Sequence, residues 1–190
     1  MTETAAATFR RAGPADAPAI AALHAASWRT AYRRTLTDAY LDGPIYEERA
    51  RLWEARLGPQ PGGERCYVGL AETGGAPALA GLAGFACILL NEEPAWGASL
   101  DNLHVRLELQ GQGIGRQLFA RAVQWVMAVE TGGPLHLWMY EANIGARPFY
   151  DALGGEIAQR GLKHAADGSQ VPSLRYVWRD LEVLLGRLTA

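Results

Sequence analysis

One stretch constrains this chain more than any other: Leu103-His104-Val105-Arg106-Leu107-Glu108-Leu109-Gln110-Gly111-Gln112-Gly113-Ile114-Gly115-Arg116. An apolar strand runs into a turn with glycine at every second position. That turn runs into an amphipathic helix. Residues without Cβ let backbone N–H groups come close to a ligand. The helix that follows aims its free amides and the positive end of its dipole at the same point. The pattern predicts a phosphate site between a strand and a helix.

Two common phosphate loops fail on spacing. A Walker loop needs GxxxxGK[ST], and the chain holds no such string. A dinucleotide fingerprint needs a small residue at its sixth position. Counting from Gly111, that position is Arg116. The ribose-binding acid expected about 20 residues on is also missing, because that region reads Pro134-Leu135-His136. What remains is Gln-x-x-Gly-x-Gly with a cation behind it.

Composition narrows the classes. A length of 190 residues fits one domain. With 49% hydrophobic and 20% charged residues, the chain can fill a core. A net charge of −2 leaves no basic footprint for nucleic acid. Cys66 and Cys87 stand alone, with no CxxC pair, which suits a reducing cytoplasm. No signal peptide or membrane span is expected. His24, His136 and His164 have no metal-ligand spacing, so no metal is expected.

The element pattern predicts a mixed α/β fold, a sheet flanked by helices. A strand at Phe9–Ala12 precedes helical spacing from Ile20 to Tyr32, with Asp16 as N-cap. More helix, in two pieces around Gly43-Pro44, ends at Leu57-Gly58-Pro59, and a loop runs from Pro59 to Gly63. Cys66–Thr73 and Ala78–Leu90 read as a hairpin across Gly74-Gly75-Ala76-Pro77. Ser99–Val105 leads into the glycine turn. Ile114, Leu118, Ala122, Trp125, Val126 and Val129 mark the buried stripe of the next helix, which ends at Thr131-Gly132-Gly133-Pro134. Leu135–Tyr140 is an apolar strand, followed by a short helix from near Ile144 to Leu153. A terminal hairpin pairs Glu156–Leu162 with Leu174–Leu181.

Asn143, Arg147 and Tyr150 fall at i, i+4 and i+7, one face of a helix that begins near Ile144. Trp28 and Tyr32 share a face of the first helix. Asn143 also has a plain reading as helix cap, and Tyr150, Trp28 and Tyr32 as core aromatics.

The strand, glycine turn and downstream block together resemble the GCN5-related N-acetyltransferase (GNAT) family. Gln110, Gly113 and Gly115 match its Arg/Gln-x-x-Gly-x-Gly/Ala motif. Leu137–Asn143, Phe149-Tyr150 and Leu153-Gly154 match its strand, asparagine and Phe-Tyr-x-x-Leu-Gly block. The resemblance implies the GNAT acyl-CoA N-acyltransferase fold and acetyl transfer from acetyl-CoA to an amine. The acceptor would be a small molecule or a protein. Residues Gln110, Gly111, Gln112, Gly113, Ile114, Gly115 and Arg116 would hold the pyrophosphate, with Arg147 meeting a phosphate or solvent. Backbone groups of Leu103 and Val105 would pair with the pantetheine arm. Asn143 would bond the cofactor, and Tyr150 would be the general acid. A phenol of pKa about 10 is protonated at neutral pH and can donate to a departing thiolate.

The general base is where the chain departs from the family pattern. Several members carry a glutamate where this sequence has Ser99. Asp101 is the nearest alternative, with Glu92, Glu93 or water also open. By strand alternation His104 would face away from Asp101. Trp28, Tyr32 and Trp96 are expected to line the acceptor pocket. A homodimer is compatible with the resemblance, since many relatives pair. The alternative to an enzyme is a non-catalytic module that senses acyl-CoA, motivated by the uncertain base.

Overall fold

Among the described residues, seven strands form one twisted sheet whose two faces are covered by different helices. The computed structural model describes residues 7–59, 65–74, 81–129 and 133–190. The strands are β1 (Thr8–Arg11), β2 (Cys66–Glu72), β3 (Leu82–Leu89), β4 (Ala98–Val105), β5 (Leu135–Tyr140), β6 (Glu156–His164) and β7 (Gln170–Trp178). Their order across the sheet is β1-β2-β3-β4-β5-β7-β6. All neighbours are antiparallel except β4 and β5. A parallel pair needs a crossover, and α4 (Ile114–Val129) supplies it.

Helix α4 covers one face. Its Leu118, Phe119, Val123 and Val126 pack with Leu135, Leu137 and Met139 of β5 in one cluster. Each large apolar side chain buried this way contributes roughly 1.5–3 kcal/mol. The other face is covered by α1 (Ala17–Ala31) and α3 (Ile45–Leu57). There Ile20, Leu23 and Trp53 pack on Val68, Leu70 and Phe85. The short α2 (Asp38–Leu41) links α1 to α3, and α5 (Arg147–Ala152) follows β5.

The structure corrects several expectations. The chain ends in a helix, α6 (Leu181–Thr189), where the sequence reading continued a strand to Leu181. Asp180 caps it, its carboxylate accepting the Val183 N–H at 3.0 Å. Leu184 and Leu188 of α6 join the α4 cluster, and Phe119 meets Trp178 edge-on at 5.5 Å. The buried stripe of α4 is therefore turned toward Phe119 and Val123. Trp125 is only half-buried, stacked on Tyr67, and Val129 is 48% exposed. Asp16 does not cap α1 through its side chain. Its carboxylate takes the Gly13 N–H and Arg10 instead.

Helix α5 begins at Arg147, not near Ile144. Pro148 explains this: it has no N–H to donate to the Ile144 carbonyl, and the helical bonding starts one turn later, with Tyr150 N donating to Ala146 O at 3.3 Å. Asn143 therefore sits in a turn, its N–H bonded to Tyr140 O at 2.9 Å, and the shared-face argument for Asn143 does not hold. Residues 60–63 of the expected loop, 75–80 of the hairpin connection and 131–132 of the α4 terminus lie outside the described residues.

Where β4 begins, Gly97 has φ +73, and a Cβ there would stand 2.0 Å from Pro134 O. Gly97→Ala should cost about 3 kcal/mol, combining left-handed strain with overpacking against backbone. Thermal melting should show a drop of roughly 6–12 °C. On the far side, Asp167 in the β6–β7 turn accepts the Thr37 N–H at 2.8 Å and both Ser169 donors. The Ser169 hydroxyl, then the Thr37 amide, hold its carboxyl down to about 2. A lowered carboxyl stabilises the fold above its unfolded pKa and loses that contribution as pH falls through the folded value. The melting-temperature gap between wild type and Asp167→Asn should therefore be wider at pH 6 than below about pH 3.

Candidate active site

Strands β4 and β5 pair at only two positions, Ala98↔Leu135 and Ser99↔His136. Beyond these they diverge and leave a cleft between them. A cavity of about 1010 Å³ lies there, lined by residues from α1, α3, β4, β5, β6 and the α5 approach. On its other side β4 pairs with β3, and just past its end Arg106 N donates to Ala83 O at 2.9 Å. A trans peptide turns the Val105 carbonyl the other way, into the cleft. There it accepts from Gln110 Nε2 at 3.2 Å.

The glycine turn adopts the backbone its residues allow. Gly111 and Gly113 have φ +76 and +80, a region that L side chains rarely enter. A Cβ at either position would meet nothing within 4 Å, and one at Gly115 would meet only Val105 Cγ2 at 3.5 Å. The space in front of the turn is open. Helix α4 opens here, with Gln117 N donating to Gly113 O at 3.0 Å. The first-turn N–H groups have no intrahelical acceptor. Such an arrangement can receive an anion, and its open front has room for a diphosphate. Ile114 has only its backbone to offer there, because its side chain is buried in the core.

Of the residues singled out in the sequence, Trp28, Tyr32, Asp101, Leu103, Val105, Gln110, Asn143 and Tyr150 line the cavity together. Gly111, Gln112, Gly113, Gly115, Arg116, Arg147 and Trp96 do not line it. The turn residues continue directly from Gln110. Arg147 stands beside Tyr176, whose hydroxyl donates to Asp151 at 2.8 Å.

Tyr150 is half-buried, its ring against Phe149, Tyr176 and Trp178. Burial raises its phenol well above the ordinary tyrosine range, and Tyr32 and Tyr176 add to this. Its proton therefore stays in place at neutral pH. Tyr32 is pushed up to about 12, again mainly by burial, while the Asn143 side chain pulls the other way. An aromatic row runs from His24 to Trp28, Tyr32 and Tyr140, with centroid spacings of 5.1, 5.4 and 5.1 Å.

The register of β4 breaks at Asp101. Cys87 pairs with Asn102 and Ile88 with Leu100, so Asp101 is the extra residue of a bulge. A bulge re-aims a side chain. Asp101 turns toward α3, where Arg56 donates to its Oδ2 at 2.6 Å. His104 lines the same cavity, which corrects the expectation from strict alternation. Its ring stands 4.9 Å from His24. Trp53 Nε1 donates to His24 Nδ1 at 3.1 Å, so the His24 proton is on Nε2. Burial holds His104 down to about 4 and His24 well below the usual range, leaving both neutral.

Of the three carboxylates left open as base, only Asp101 lines the cavity. Glu92 is exposed, and Glu93 is held by Arg175 and by Trp138 Nε1 at 3.2 Å. Trp96 belongs to that cluster, its ring centroid 4.2 Å from the Arg175 guanidinium, which also lies 4.5 Å from the Trp138 ring. Trp96 thus stands behind the cavity wall. The sequence reading missed Arg49, Arg56, His24, Trp138 and Lys163 as lining residues. Arg49 and Arg56 are seven apart on one helix, a spacing that would have placed them on one face.

Cys66 and Cys87 do not stand apart. Both are free thiols, with Sγ atoms 3.6 Å apart across β2 and β3. Among the described residues there is no group of three or more His, Cys, Asp or Glu side chains suited to a metal. Nor is any described helix long and apolar enough to cross a membrane.

Residues 25–154 match the acetyltransferase (GNAT) family. The chain belongs to that family. Over 172 residues it is 32% identical to a probable N-acetyltransferase, Rv2775, of Mycobacterium tuberculosis, covering 88% of this chain and 91% of the relative. An uncharacterized N-acetyltransferase of Bacillus subtilis, YuaI, is 28% identical over 178 residues, 93% and 95% of the two chains. YncA of Salmonella typhimurium, solved with its cofactor acetyl-CoA, shares the fold with a TM-score of 0.63 and 17% identity over 92% and 94% of the chains. The mixed sheet with its β4–β5 cleft is the GNAT fold, and the protein is an acetyl-CoA-dependent acetyltransferase.

Proposed function

We propose that residues 1–190 act as one N-acetyltransferase domain in which an amine attacks acetyl-CoA directly while both are bound. The observation that carries this reading is a single cavity lined at once by Gln110 at the foot of the glycine turn, by Tyr150 and by Asp101. Acetyl-CoA supplies an acetyl group activated as a thioester. Residues Gln110, Gly111, Gln112, Gly113, Ile114, Gly115 and Arg116 hold the diphosphate, with Arg147 near its edge. The free edge of β4 at Leu103 and Val105 receives the pantetheine arm, and Asn143 bonds to it. Tyr150 keeps a proton on its phenolic oxygen, ready for the departing sulfur. Asp101 takes the proton that the amine gives up. Trp28 and Tyr32 form the acceptor wall, and Trp96 backs it through Arg175 and Trp138.

Calorimetric titration with CoA and acetyl-CoA tests the first half of this reading, and thiol release with a panel of amines tests the second. Saturable binding and amine-dependent release are expected. Binding without release above the hydrolysis background, for every amine, would instead favour an acyl-CoA sensor.

A further inference from the structure

The cavity is lined by four cationic side chains, Arg49, Arg56, Arg106 and Lys163, and by two carboxylates, Asp101 and Glu108. Both carboxylates are matched within the lining. Arg56 holds Asp101 at 2.6 Å, and Arg106 Nε donates to Glu108 at 2.8 Å. No lining carboxylate is left over as counter-ion for a second ammonium group. Arg49 and Lys163 have no carboxylate partner within the lining.

Arg49 is 8% exposed. One terminal nitrogen donates to Glu48, which lies outside the cavity lining. Its Nε is buried with no hydrogen-bond partner among the described residues. The guanidinium lies over Trp28, 4.7 Å from the ring centroid, so the cavity wall itself positions it. Lys163 Nζ stands 4.8 Å from the ring centroid of Trp138, another wall residue. Glu93, a carboxylate that feels the Lys163 charge, is taken by Arg175. A buried guanidinium with donors to spare is costly unless an acceptor arrives. Its planar fork matches a carboxylate in particular.

We propose that the acceptor is a small amine bearing a carboxylate, in the manner of a free amino acid, and that Arg49 receives the carboxylate with Lys163 adding charge. Polyamines are disfavoured by the same arrangement. This rests on the acetyl-transfer reading above. The test compares matched pairs, L-phenylalanine against phenethylamine and L-lysine against cadaverine, with spermidine as polycation. Two readouts are taken: thiol release at saturating acetyl-CoA, and calorimetric binding of each amine to the CoA-loaded protein.

The carboxylated member should be favoured by about tenfold or more in both readouts, the scale of one charge-assisted hydrogen bond. Arg49→Met should bring the ratio toward one through KM, and Arg49→Lys should restore part of it. If Arg49→Met fails to fold, Lys163→Met on the edge strand carries the same comparison. A wild-type ratio at or below one, or a ratio unmoved by both variants, overturns the proposal. Release with cadaverine or spermidine alone would overturn it while leaving acetyl transfer intact. If CoA binds but no amine releases thiol, the transferase reading fails, and the binding ratio alone decides the carboxylate.

Discussion

Replacing Tyr150 with phenylalanine should lower kcat by about 100-fold, the lower end of what a positioned proton donor contributes, with CoA affinity essentially unmoved. The substitution removes one oxygen and keeps the ring that packs on Phe149, Tyr176 and Trp178. A fold defect is therefore not the expected cause of lost rate, and an unchanged melting temperature would check this. Burial keeps the phenol protonated far into the alkaline range. The wild-type rate should accordingly show no falling limb near the ordinary tyrosine pKa of about 10. Turnover in Tyr150→Phe equal to wild type would remove Tyr150 from the chemistry.

A second large effect is expected at the glycine turn, beyond the cavity's Gln110 end. Gly113→Glu should abolish measurable CoA binding. Two like charges about 4 Å apart near a protein surface oppose each other by up to roughly 4 kcal/mol. The new side chain has room, since nothing stands within 4 Å of a Cβ at this position. The backbone is the penalty: φ is +80, and a left-handed residue costs about 1–2 kcal/mol. Gly113→Ala separates the two contributions, because it carries the strain without the charge. Binding retained in Gly113→Ala and lost in Gly113→Glu, by calorimetry, would assign the loss to the anion cradle. Equal binding in both would move the diphosphate elsewhere.

What could be read from the sequence was local. The glycine turn, the strand before it and the helix after it are contiguous, and their chemistry follows from residue order. So are β5, Asn143 and the short helix behind it, although Pro148 delays that helix to Arg147. What escaped reading depends on register or on distant segments. The bulge that turns Asp101 toward Arg56 arises from pairing with β3, and nothing in the order Ser99-Leu100-Asp101 announces it. The approach of Cys66 to Cys87 likewise depends on how β2 and β3 are aligned. Helix α6 is different, because its signal was present. Asp180 followed by Leu181, Leu184, Leu185 and Leu188 is a capped helical stripe. It was hidden because an apolar run ending at Leu181 also reads as strand.

The two-pair junction between β4 and β5 makes the sheet a pair of plates joined at one corner. One plate carries β1 to β4, and the other carries β5, β7 and β6. Backbone bonding does not fix how far the plates splay. That falls to the side chains beneath α4, which straps Leu100 of one plate to Leu137 and Met139 of the other. The aperture of the cleft is thus a property of core volume. A methylene gained or lost at Leu118 or Val123, well away from any reacting atom, changes the gape of the site as well as the stability of the protein.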